Sequence, residues 1–203
     1  MAEAQLAIDA GASAIGLVSA MPSGPGPIDE ALIAEIAASI PPSIDSFLLT
    51  ALQDADAIIE QHRRCRATVL QLVDEVATSG LRRLRAALPA VALVQVIHVT
   101  GTEAVAQALA AAPWVDALLL DSGRPRLAVK QLGGTGRTHD WALSRRIRDS
   151  VTLPIWLAGG IGAHNVAAAV ERVAPMGVDL CSSVRTRGAL DLVKLRAFFA
   201  ALP

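Results

Sequence analysis

Hydrophobic and polar residues alternate along the chain in two periods, and the switch between them marks out the elements. Short apolar runs at Ala14–Ser19, Ser46–Thr50, Thr68–Val73, Ala92–Val99, Ala117–Asp121, Ile155–Ala158 and Val178–Ser182 read as strands buried on both faces. Between them, apolar residues return at helical spacing over Ala2–Ala10, Glu30–Ser39, Asp54–Arg66, Ser79–Leu88, Thr102–Ala112, His139–Asp149, Asn165–Val173 and Leu190–Leu202. Gly11 is placed to end the first helix, and Pro41-Pro42 stops the second. The segment Met21–Pro27, broken by prolines and glycines, can only be a loop at the end of the first strand.

Strict alternation of apolar strands with helices predicts a parallel sheet covered by helices, either doubly wound or a (βα)8 barrel. Short loops and helices favour the barrel, and the first strand–helix turn lacks the Gly-x-Gly-x-x-Gly spacing of a dinucleotide-binding sheet. At 203 residues the whole chain, 1–203, is expected to be one barrel domain.

Charge and composition remove several classes of partner. A net charge of −1 with 18% charged residues leaves no electrostatic footprint for nucleic acid. Although 53% of residues are apolar, no run is long enough for a membrane span, and the N-terminus lacks the pattern of a secretory signal. Cys65, at a basic helix end, and Cys181, expected in a late strand, suggest neither a disulfide nor a metal cluster. The expectation is a cytoplasmic protein, monomer or homodimer, with no metal and no cofactor.

Asp121 stands where its strand leaves the core, and that makes it the leading candidate for chemistry. A turn-forming role is the plain alternative. Glycine-rich turns follow this strand and the next one: Gly133-Gly134-Thr135-Gly136, then Gly159-Gly160, with Ser182-Ser183 after the last strand. Bare backbone amides and hydroxyls of this kind suit a phosphate. His98, at a strand end, and Arg185, in the last loop, are weaker candidates for substrate contact. The cationic run His62, Arg63, Arg64, Arg66 reads as a solvated helix end.

The ordered set Leu119-Leu120-Asp121-Ser122, Gly133–Gly136, Asp140-Trp141, Leu157–Ile161, Asn165-Val166 and Val178-Asp179 with Ser182-Ser183 resembles the phosphoribosylanthranilate isomerase family of tryptophan biosynthesis. The resemblance implies a (βα)8 barrel that carries out an Amadori rearrangement of a small phosphorylated sugar, with Asp121 as general acid and the glycine and serine turns around the phosphate. It also implies that the family's first strand, with its Lys-Ile-Cys-Gly base, has no counterpart here, because Met1 falls within the first helix. The family's Ser-Pro-Arg loop is replaced by Pro22–Gly26, and its Gln-Leu-His-Gly by Gln71-Leu72-Val73-Asp74. An isomerase and a diverged protein that binds a phosphate ligand without catalysis both fit these residues.

Overall fold

The computed structural model describes residues 1–24, 26–133 and 136–203. Among them, seven parallel strands form one curled sheet in sequence order: β1 (Ala14–Val18), β2 (Asp45–Thr50), β3 (Val69–Leu72), β4 (Ala92–His98), β5 (Ala117–Asp121), β6 (Ile155–Leu157) and β7 (Gly177–Val178). Helices α1 (Ala2–Asp9), α2 (Glu30–Ser39), α3 (Ala55–Cys65), α4 (Thr78–Ala87), α5 (Glu103–Ala111), α6 (Trp141–Ser150), α7 (Val166–Val173) and α8 (Leu192–Ala200) cover its outer face. A two-stranded hairpin, β8 (Arg185–Thr186) with β9 (Ala189–Leu190), precedes α8.

The strands divide their side chains by the period of two. Leu48, Leu70, Leu72, Leu93, Leu118, Leu120 and Leu157 point outward into the main core with the helices. Phe47, Val69, Val94, Val96, Ala117 and Leu119 point inward and form a second apolar layer inside the curl. Trp156 joins that layer edge-on to Phe47, with ring centroids 5.8 Å apart. Gly177 is a glycine because a Cβ there would stand 2.6 Å from the Trp156 ring. This layer is the floor on which the carboxyl ends of the strands build a mouth.

Carboxylates set several helix starts. Asp54 accepts from Ala57 N at 2.9 Å, and Asp140 from Ala142 N at 2.8 Å. Asp191 takes the amides of Val193 and Lys194. These caps move two boundaries: the sixth helix starts at Trp141 rather than His139, and the last at Leu192 rather than Leu190. The expected strand Val178–Ser182 is reduced to Gly177–Val178. Its continuation turns into a single 3-10 turn, Ser182–Val184, so Cys181 lies exposed at the mouth instead of within a strand.

Among the described residues the sheet is not closed: β1 pairs only with β2, and β7 only with β6. Gly16 is exposed on the inner face of β1. The outer layer does meet across this opening, since Phe199 of α8 lies against Gly11 after α1. Glu3 of α1 also accepts from Leu190 N and pairs with Arg185.

Candidate active site

The mouth at the carboxyl end of the sheet is lined by Val18, Leu49, Gln71, Val73, Val96, Leu119, Asp121, Ala158 and Asp179, with the loops around them. Every one of these strand positions faces inward, so the apolar floor, the polar rim and the acid share one cavity.

Asp121 ends β5 and is buried. Burial pushes its carboxyl up to about 6, against hydrogen bonds from Ser122 that lower it. Two glycine turns wall it in. A Cβ on Gly159 would stand 3.0 Å from its Oδ1, and one on Gly133 3.3 Å from its Oδ2. Asp179, two strands away, lines the same mouth. The surrounding protein and then the Asp121 charge push its carboxyl up to about 6, and because the side chain is open to solvent, water tempers that shift.

The three glycine and serine turns converge on one another. Gly160, with φ +65, lies so close to the backbone of Arg137 and Thr138 that a Cβ would meet it at 2.6–2.8 Å. Gly136 faces the Ser182 hydroxyl, and Gly162 faces Ser183. Asn165 fixes the turn after β6, donating to Gly160 O and accepting from Gly162 N, both at 2.9 Å. The Ser183 hydroxyl is buried without a hydrogen-bond partner among the described residues. Gly134 and Thr135 fall outside the described residues.

Two expected contacts lie elsewhere. His98 is buried behind the rim, its Nε2 donating to Val73 O at 2.9 Å; burial lowers its proton affinity. Arg185 turns to the hairpin, bonding Gly188 O and Glu3. Asp179, Gln71 and Asn165 are the residues that sequence reasoning did not single out as a site. The signal for Asp179 was present: like Asp121, it is an acid directly after an apolar run. Among the described residues no group of three or more His, Cys, Asp or Glu side chains is placed to hold a metal ion.

A family sequence model, N-(5'-phosphoribosyl)anthranilate (PRA) isomerase, matches residues 50–201. The chain belongs to this isomerase family. An N-(5'-phosphoribosyl)anthranilate isomerase of Haloferax volcanii is 38% identical over 198 residues, covering 96% of this chain and 86% of that protein. The phosphoribosyl anthranilate isomerase structure from Thermococcus kodakaraensis superposes with a TM-score of 0.81 at 26% identity, covering 99% of this chain and 93% of the other. A further isomerase, in complex with reduced 1-(o-carboxyphenylamino)-1-deoxyribulose 5-phosphate, gives 0.80 over 98% of this chain and 92% of that one; at 21% identity it speaks for the fold. The curled seven-stranded sheet thus matches the isomerase family's TIM-type barrels.

Proposed function

We propose that the protein converts N-(5'-phosphoribosyl)anthranilate to 1-(o-carboxyphenylamino)-1-deoxyribulose 5-phosphate, as a member of the tryptophan-pathway isomerases, with the reaction run at the mouth around Asp121. The observation that carries this reading is the convergence of the glycine and serine turns beside one buried, proton-retaining carboxyl. Opening the furanose ring needs a proton delivered to the ring oxygen, and Asp121 holds its proton to about pH 6 in a site that excludes water on two sides. The phosphate end fits the amides and hydroxyls of Gly133, Gly136, Gly159, Gly160, Ser182 and Ser183, and the unpartnered Ser183 hydroxyl is a donor held ready for an oxygen ligand. No cofactor or metal enters this chemistry, in which one proton leaves carbon 2 of the sugar and another arrives at the ring oxygen.

The proton at carbon 2 requires a base. The slot between β1 and β7 is where we place the family's first strand and its cysteine, so the strands β1 to β7 correspond to the second to eighth of the family barrel. A barrel of eight strands closes only when its strand number and shear agree, and the unpaired outer edges of β1 and β7 are what one more strand would join. We read residues 1–203 as one domain, cytoplasmic, acting as a monomer or homodimer. Family membership favours catalysis over a role limited to binding a phosphate ligand.

The test is incubation of the purified chain with N-(5'-phosphoribosyl)anthranilate, with and without a further strand joined to its N-terminus, and identification of the product by mass and chromatography. Ketose product dependent on the protein supports the reading. Product from neither form overturns it.

A further inference from the structure

The carboxyl end of β3 is held with unusual completeness by side chains of β4. Gln95 Nε2 donates to Leu72 O and to Asp74 O, each at 3.0 Å, and His98 Nε2 donates to Val73 O between them, so three consecutive carbonyls are taken. From this fixed seat Asp74 reaches the loop that follows β5. Its side chain is 7% exposed; Oδ1 accepts from Glu75 N, and Oδ2 pairs with Lys130 Nζ at 2.5 Å.

Lys130 is tied twice more. Its carbonyl accepts from the Ser23 hydroxyl of the loop after β1. Its neighbour Gln131 exchanges backbone hydrogen bonds with Arg124, closing residues 124–131 into a small hairpin. The hairpin begins at Gly123, which lies flush against His98: a Cβ there would meet the ring nitrogen Nδ1 at 2.3 Å. Both ends of the loop therefore rest on the β3–β4 platform, and the chain leaving it passes through buried Leu132 to Gly133, beside Asp121.

We propose that the Asp74–Lys130 pair is a latch that fixes the loop after β5, so that Asp74 and Lys130 are positioning residues that set Gly133 against Asp121 on the phosphate-binding side of the mouth. The pair does not touch the ligand. It acts through the two residues between Lys130 and Gly133, and this role rests on the isomerase reading above. A carboxylate this buried loses its ion-pair partner Lys130 if the loop lifts, so the closed loop is favoured over the open one. The apolar tip, with Leu127 and Val129 exposed, adds little to hold the loop down.

Two readouts on the chain 1–203 test the latch, one of them independent of substrate. The first is trypsin cleavage after exposed Arg126, followed by mass; Arg124 precedes a proline and is not cut. Asp74→Asn and Lys130→Met are each expected to raise that rate about tenfold, and the double variant no further, since both break one coupling. Lys130→Arg is expected to stay near the parent rate. The second is turnover: the same variants are expected to raise KM about tenfold with kcat within about twofold, as loss of ground-state phosphate binding dictates.

An unchanged cleavage rate in folded Asp74→Asn overturns the latch. If Asp74→Asn does not fold, Lys130→Met, at the more exposed end, and Ser23→Ala decide by the same rate. A loosened loop with unchanged KM overturns the positioning role and leaves the isomerase reading standing. No turnover in the parent chain or in its strand-extended form, with cleavage raised only in the variants, supports the latch and fells the substrate instead.

Discussion

Asp179 titrates in the field of Asp121, from two strands away across the same mouth. Burial holds the proton on Asp121, and Asp179 is pushed up by its surroundings and then by the Asp121 charge, so both keep protons that isolated side chains release near pH 4.

The burial of Asp121 sets a stability profile. Asp121 is raised from 3.8 to about 6. Between those values the unfolded chain has released the proton and the folded chain keeps it, so stability falls as pH rises through the window. Above pH 6 the buried charge costs the fold about 1–3 kcal/mol. Asp121→Asn is therefore expected to melt several degrees higher than the parent at about pH 8 and to lose that advantage near pH 4, measured by thermal unfolding at both. A variant less stable than the parent at pH 8 would contradict the assignment of a strained, proton-retaining carboxyl.

Gly160 and Gly188 both adopt positive φ, yet only one is enclosed. A Cβ at Gly188 meets nothing within 4 Å, whereas at Gly160 it strikes the backbone of Arg137 and Thr138. Gly188→Ala is expected to cost about 1 kcal/mol from backbone strain alone. Gly160→Ala is expected to cost at least twice that, about 2 kcal/mol or more, because backbone has to move. Denaturant midpoints of the two variants make the comparison, and equal shifts would mean that the turns after β5 and β6 are not packed together.

The edge of β1 supplies a third expectation. Ser19 N bonds to Leu49 O, so by the alternation of a strand the amides of Gly16 and Val18 point away from β2, into the opening. Hydrogen exchange should be fast at Gly16 and slow at Leu17, and an added N-terminal strand should slow exchange at Gly16 while raising Tm. Protection at Gly16 equal to that at Leu17 in the unextended chain would contradict an open slot.

Much of this was legible in the sequence because parallel strands buried on both faces leave uninterrupted apolar runs, and the residue that ends such a run is carried to the mouth. That reasoning puts Asp121, Gly133, Gly136, Gly159 and Gly160 at the mouth, where the structure has them. The strand before Cys181 was not, because Val178-Asp-Leu-Cys has strand-like composition, while its length is decided by the turn that brings Ser182 against Gly136. Arg185 carried a charge that suits phosphate, but its partner Glu3 lies 182 residues away in sequence, and nothing local announces the pairing. His98 looked like rim chemistry and is instead a clamp on Val73 O, a use of histidine that only the register of β3 with β4 reveals. Asp74, Gln95 and Lys130 were invisible for the same reason: each is an ordinary polar residue until the folded sheet sets them together.

The most direct test of the account is turnover of N-(5'-phosphoribosyl)anthranilate by the strand-extended protein and its Asp121→Asn variant, side by side with calorimetric binding of the reduced product analogue. The account predicts a loss of kcat of about 10²–10⁴-fold with the affinity for the analogue changed by less than about threefold, the signature of a lost proton donor in an intact phosphate site. A variant that turns over at the parent rate would contradict it.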